Sequence, residues 1–254
     1  RKYSSKEKVV EGKPLPERPV PAVKPDVLPA AAGLNRFVWN MYYELPDLVP
    51  SAIYDMGTPH GPMALPGKYT ARLTVAGKSY TVPVELKLDP RVKTSMADLQ
   101  KQFDLMLKIR DLLSDDHKGV LEMRNVRAQL AALRKRLAGG AKNKPAIDMM
   151  DSVEKKMAPV EAELIEVRAR SSQDMCNYPT KLSSKIAWLD NVVDSADTAP
   201  NKQSYEFYQE LRSQTDRQLA AWKEIVAKDL AALNDWMRKE NVPAISARYE
   251  RSEA

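Results

Sequence analysis

The sequence predicts an α+β, multi-domain protein in which a small β-sandwich precedes an antiparallel helical bundle. Three observations carry this expectation. Apolar residues alternate with period two around Phe37-Trp39-Met41 and again from Tyr69 to Leu88, the pattern of half-buried antiparallel strands. After Asp89-Pro90-Arg91 the apolar period changes to about 3.6 and stays there. Only 9 glycines stand against 18 prolines, and few glycines suit long helices. The expected divisions are a strand stub and proline-rich linker over 1–32, the sandwich over 33–92, and the bundle over 93–254.

Pro14, Pro16, Pro19, Pro21, Pro25 and Pro29 remove backbone donors and fix φ, so 14–29 reads as an extended connector. A proline-rich ligand for an aromatic groove is the functional alternative. Pro46, Pro50, Pro59, Pro62 and Pro66 mark an irregular loop in which Gly57, Gly61 and Gly67 supply turns. The clearest strand pair follows. Tyr69, Ala71, Leu73 and Val75 share one face, and after a turn at Ala76-Gly77-Lys78 so do Tyr80, Val82, Val84, Leu86 and Leu88. Pro83 marks an edge strand or a bulge.

Thr94 or Ser95 caps a first helix carrying Leu99, Phe103, Met106, Ile109 and Leu113. A second helix, from about Lys118, carries Val126, Leu130, Leu133 and Leu137 and stops at Gly139-Gly140. The third carries Met150, Val153, Met157, Val160, Leu164 and Val167, with Pro159 expected to kink or break it. Tyr178-Pro179 and Ala199-Pro200 bracket a short helix around Ile186, Trp188, Leu189 and Val192. A final helix runs from Asn201 to about Glu240, and the short loops imply antiparallel neighbours.

No stretch approaches the roughly 20 apolar residues that cross a bilayer. The chain opens on Arg1, with no apolar run after Lys6, as expected of a processed product or a fragment. Cys176 is the only cysteine and reads as inert and partly buried. His60 sits in a turn and His117 on a helix, neither with a metal-ligand partner at useful spacing. The neighbours Asp115, Asp116 and His117 face different directions on a helix and do not converge on an ion. No phosphate loop, nucleophile elbow, HExxH or CxxC is present, so the expectation is no catalytic residue and no cofactor. The net charge is +6, but acidic and basic residues interleave. Arg124, Arg127 and Arg134-Lys135-Arg136 read as a solvated helix face, and no nucleic-acid partner is expected.

Gly33-Leu34-Asn35-Arg36-Phe37-Val38-Trp39-Asn40 is followed by Gly61-Pro62, Pro66-Gly67-Lys68-Tyr69-Thr70-Ala71-Arg72-Leu73 and Asp89-Pro90-Arg91. In this order these segments resemble the C-terminal region of large bacterial sortilin-like, BNR/Asp-box β-propeller proteins, often labelled glycosyl hydrolases. The strong motifs occupy about 33–91, and Tyr205, Trp222 and Leu233-Asn234 fit the helical end. The resemblance implies sandwich modules of immunoglobulin or fibronectin type, then helices, with the propeller absent from this chain. It also implies that Arg1-Lys2-Tyr3-Ser4 is the last strand of a preceding module. No catalytic residue carries over, and Asn40 stands where the family often has Asp.

A non-catalytic structural and interaction region is therefore expected, bracing the propeller or mediating assembly in a periplasmic or extracellular protein. Its expected partners are the missing propeller, a second copy or another protein, with no membrane span. The alternative is a carbohydrate-binding accessory module of a glycoside hydrolase. On the structural reading Arg36 stacks near Trp39, and Trp39 anchors the sandwich core. On the binding reading Arg36, Trp39, Tyr42, Tyr43 and Tyr54 form an exposed patch that contacts a glycan or a peptide. The interaction reading expects an apolar surface left open on the isolated chain.

Overall fold

The computed structural model describes residues 2–6, 27–55, 57–138 and 140–249. Most of the expected proline-rich connector, residues 14–26, lies outside the described residues.

Two strands form one antiparallel sheet: β1 (Gly67–Val75) and β2 (Lys78–Leu86). Their register runs from Gly67 opposite Leu86 to Val75 opposite Lys78. Ala76 (φ 48°) and Gly77 (φ 77°) close the hairpin, and two positive φ values are what a type I′ turn requires. The expected β-sandwich does not form: the described residues are 54% helical, and among them only two strands pair, in one sheet. The run 35–42 fails as a strand because Met41 takes φ 63°, leaving one isolated bridge between Tyr42 and Met63. The prolines that follow remove donors at intervals too short for a ladder. The stub expected to be cut from a preceding module pairs within this chain: Leu28 N–H donates to Ser4 O at 2.9 Å, and Tyr3 packs on Phe37 with centroids 4.5 Å apart.

Helix α1 (Met96–Leu137) is a single 42-residue element, about 63 Å long. Ser95 caps it by accepting from Asp98 N–H at 3.1 Å. The two helices expected on either side of Asp115-Asp116-His117 are thus one. Nothing between Ser114 and Lys118 breaks a helix, and Asp116 and His117 find partners at Ser183, Asp47 and Tyr54. Helix α2 (Lys144–Leu164) contains Pro159 and continues through it. The carbonyl that the proline leaves unpaired belongs to Lys155, an exposed residue that water can reach. Val167 lies beyond α2 and is exposed, so it leaves the expected stripe. Helix α3 (Leu182–Val193) occupies the segment bracketed by the two prolines. The last helix starts at the cap Asn201, as the sequence predicts. It runs as α4 (Lys202–Ile225), one π-turn (Val226–Leu230) and α5 (Ala231–Lys239).

α1 packs on α2, α3 and α4, and α2 packs on α4 and α5. Arg134, near the end of α1, pairs with Asp151 and Glu154 near the start of α2, while Arg124 and Arg127 meet Glu161 near its end. These contacts make α1 and α2 antiparallel. Three of the arginines expected on a solvated face are held by α2 carboxylates while remaining half-exposed. The core joins Ile109, Val120, Met123, Leu130, Met150, Met157, Leu211 and Leu233. Cys176 is exposed, contrary to expectation. No helix among the described residues is long and apolar enough to cross a membrane.

Val49 is buried in this same core, so the irregular segment between residues 43 and 64 is a strap on the bundle. Two of its glycines are there for close approach. At Gly57 (φ 77°) a Cβ would stand 2.6 Å from Ala187 O, and at Gly61 it would overlap the Tyr43–Glu44 backbone. Gly61→Ala is therefore expected to destabilise the fold by about 1–3 kcal/mol. Gly77→Ala, in open space, should lose only about 1 kcal/mol for its left-handed φ. Urea unfolding of the two variants checks this, and equal losses would refute the close-approach account.

Candidate functional site

Tyr43 N–H donates to Pro62 O at 2.9 Å where the two ends of the strap meet, and helix side chains satisfy much of the backbone between them. Asp47 N–H donates to Ser114 Oγ at 3.1 Å, and Asp47 O accepts from His117 Nδ1. Asp55 N–H donates to Ser184 Oγ at 3.1 Å, and Thr180 donates to the Asp55 carboxylate at 2.6 Å. Asn191 Nδ2 donates to Thr58 O at 3.2 Å, and His60 N–H to Asp190 Oδ2 at 3.4 Å.

Beneath the strap lies a buried polar array. Asp116 and His117 are both 0% exposed. Desolvation pushes the Asp116 carboxyl up to about 8, against the lowering effect of Ser183. It therefore holds its proton at neutral pH, which also resolves the geometry. Ser183 Oγ lies 2.6 Å from Asp116 Oδ2 and 2.9 Å from Leu164 O, yet a hydroxyl has one proton. The protonated Asp116 donates to Ser183, and Ser183 donates to Leu164 O. Asp116 Oδ1 is left without a hydrogen-bond partner among the described residues. Desolvation lowers His117 to about 4, against the raising effect of the Asp47 carbonyl. Neutral His117 donates through Nδ1 to Asp47 O and accepts at Nε2 from Tyr54 OH, 3.1 Å away. Burial raises the Tyr54 phenol well above its ordinary value.

A second cluster ties the strap to the end of α3. His60 Nδ1 lies 3.4 Å from Asp190 Oδ2, and Nε2 lies 3.8 Å from Asp194 Oδ2. His60 Nδ1 is also 3.1 Å from Gly61 O. Desolvation raises Asp190 to about 7, with His60 opposing, and raises Asp194 in the same sense. Tyr42 OH donates to Asp194 Oδ2 at 3.3 Å and stands edge-on to His60. Burial, then Asp194, raises the Tyr42 phenol.

The five residues read as a patch meet different neighbours. Arg36 is exposed. Trp39 meets Tyr69 edge-on at 6.0 Å and donates to Tyr42 O at 3.4 Å. Tyr42 turns to Asp194, Tyr43 meets Phe103 at 5.1 Å, and Tyr54 meets His117 at 5.8 Å. All four aromatic rings are partly buried, each against its own partner. Trp39 anchors the base of the hairpin rather than a sandwich core.

Sequence reasoning missed Asp116, His117 and Asp190 as buried polar groups. A signal existed: Asp116 lies four residues after Leu112 and four before Val120, on the apolar stripe, and Asp190 lies four after Ile186. Asp115 turns outward instead, to Arg212 at 3.1 Å. Among the described residues no three His, Cys, Asp or Glu side chains form a group that could hold a metal ion.

The hairpin presents a different feature. Tyr69, Ala71, Leu73 and Val75 face the same side as Val84, Val82 and Tyr80. Trp39 covers the base of this apolar face, while Leu73, Val75, Tyr80 and Val82 are 54%, 55%, 59% and 60% exposed. The opposite face is polar, with Thr74 and Ser79 hydroxyls 2.9 Å apart.

No family model, curated protein or solved structure matches this chain.

The buried groups set a pH dependence. Between 3.8 and about 8 folded Asp116 keeps a proton that the unfolded chain has released, so stability falls as pH rises. Asp190 acts in the same sense between 3.8 and about 7. His117 opposes them between about 4 and 6.5, where only the unfolded chain is protonated. Stability is therefore expected to fall from pH 6.5 to 8, by at most about 1.4 kcal/mol per pH unit for each group. In Asp116→Asn the amide donates to Ser183 without titrating, so the variant should gain on the native protein across that window. Urea midpoints at pH 5, 6.5 and 8 check this. A difference between variant and native that stays constant from pH 5 to 8 would mean that Asp116 is ionised in the folded protein.

Proposed function

We propose that this chain is a non-catalytic structural and interaction region of a larger secreted protein. It acts as the C-terminal brace of a sortilin-like propeller protein or mediates its assembly, in the periplasm or outside the cell. The observation that carries the reading is the open apolar face of the hairpin. A two-stranded hairpin is marginal in water, and becomes independently stable with more strands or a packed face. Here Trp39 closes the base of that face and Leu73, Val75, Tyr80 and Val82 are left to solvent, as a surface awaiting its cover would be. The order of the segments from Gly33 to Arg91 adds the family resemblance as a second support.

The strongly shifted groups support a structural role. Shifted carboxylates and histidines mark catalytic sites when they line a cleft, but Asp116 and His117 are enclosed beneath the strap. A depression of about 500 Å³ between α1 and α2 is lined instead by Arg124, Arg127, Glu161 and small apolar residues. The alternative, a carbohydrate-binding accessory module, finds support at Trp188. That residue is 42% exposed and lines a depression of about 280 Å³ with Phe207, Lys185, Glu210 and Gln214.

The intact mass of the native protein in its source tests the proposal. Mass spectrometry and immunoblotting should show a species several times heavier than 28.6 kDa. A native species of that same mass would overturn it.

A further inference from the structure

The ladder of the hairpin decides which of its two edges is open. Pairs in an antiparallel ladder alternate between those that exchange N–H···O bonds and those that do not. Pro83 has no N–H, so its pair with Thr70 is of the second kind, and so are Lys68–Glu85, Arg72–Thr81 and Thr74–Ser79. The backbone groups of these residues point away from the hairpin. On β2 the outward row is Ser79, Thr81, Pro83 and Glu85, interrupted by a residue that cannot donate and whose ring obstructs a neighbour. On β1 the outward row is Lys68, Thr70, Arg72 and Thr74, each with an N–H. Among the described residues no further strand pairs with either edge.

Charge decides what kind of strand fits. Glu85 is the only acidic residue between Gly67 and Leu86. It stands opposite Lys68 and pairs with Lys87 at 3.5 Å. Arg72, opposite Thr81, has no carboxylate on the hairpin to answer it. Two copies joined antiparallel through their β1 edges would bring both Lys68 and both Arg72 into one row, and like charges across a strand pair are destabilising.

We propose that the outer edge of β1 docks an extended strand of the neighbouring β-rich module, with apolar residues at alternate positions and a carboxylate beside Arg72. The proposal rests on the interaction-region reading above and adds the mode of contact. The incoming strand continues the ladder through the N–H and C=O groups of Lys68, Thr70, Arg72 and Thr74. Its apolar side chains extend the face of Leu73 and Val75, and its acidic residue answers Arg72 on the polar face. This is β-augmentation, in which main-chain bonds supply affinity and alternate side chains supply specificity.

The test titrates the full chain with a synthetic peptide of about nine residues, the length of β1, alternating valine with threonine around a central glutamate. Thr70→Pro removes an outward N–H and leaves the ladder intact, and Thr81→Pro makes the matched change on β2. Thr70→Pro and Arg72→Glu should each weaken binding about tenfold or more, and Thr81→Pro should leave it unchanged. In the native chain, bound peptide should slow hydrogen exchange at the Lys68, Thr70, Arg72 and Thr74 amides and spare Ser79, Thr81 and Glu85. This measurement stands even if a proline variant disturbs the hairpin. Protection on the β2 edge, equal loss in both proline variants, absence of binding, or a dimer joined through β1 would each overturn the proposal. Binding that survives Thr70→Pro but is lost in Leu73→Thr/Val82→Thr overturns edge docking and leaves the interaction-region reading standing. The intact-mass experiment bears on that reading alone.

Discussion

Buried peptide groups must find partners, and among the described residues the strap between residues 43 and 64 has only one isolated bridge, at its ends, to provide them. The rest of the structure depends on how this is met. Ser114 and His117 of α1, with Ser184, Asp190 and Asn191 of α3, supply the missing hydrogen bonds. These polar side chains must sit on the inner faces of the helices, within the apolar stripes. The strap in turn delivers Val49 and Tyr54 to the bundle core. The irregular segment and the helices are one packing unit, even though they obey different sequence periods.

Satisfying the strap moves the electrostatic burden inward. A charge beneath it would have to be desolvated, so Asp116 keeps its proton and His117 stays neutral. Both states follow from burial, and the hydrogen-bond geometry accommodates them. Ser183 has one proton for two acceptors unless Asp116 donates, and His117 uses one nitrogen as donor and the other as acceptor. Networks of this kind tolerate little error, because every unmet polar atom in a low-dielectric interior is costly. The segments flanking the strap set the hairpin. Tyr69 OH donates to Leu65 O at 2.6 Å, and Trp39 abuts Tyr69. The hairpin is held at its root, and its tip is left clear of the bundle.

The C-terminal segment repeats the same device against α1 and α5. Asn234 donates to Ile245 O and accepts from Ile245 N–H, while Gln129 both donates to and accepts from Ser246. Side-chain amides stand in for a strand's edge, and Ile245 is buried as a result. Two irregular stretches are thus fixed to the helices by amide, hydroxyl and imidazole groups. None of these contacts announces itself in a periodicity analysis.

Much of the local structure was legible in the sequence. Ser95, Asn201 and the proline pairs around α3 mark helix ends because their side chains or rings act within a few residues. Alternation through Tyr69–Val75 and Tyr80–Leu86 identified the hairpin, since side chains on a strand must face two ways. The same alternation declared an apolar face in need of cover but could not say where the cover lies, and the sandwich expectation failed there. The polar run Asp115-Asp116-His117 suggested a helix boundary, whereas partners 67 and 63 residues away, at Ser183 and Tyr54, let α1 pass through it. For the same reason the aromatic residues Trp39, Tyr42, Tyr43 and Tyr54 gave no sign of being divided among four partners. The sequence by itself determined the hairpin, the caps at Ser95 and Asn201 and most of the faces the helices must bury, because those are set by neighbours along the chain. Only the tertiary structure decided which faces are covered, which acids are neutral and which edge stays open, because those depend on groups brought together from distant positions.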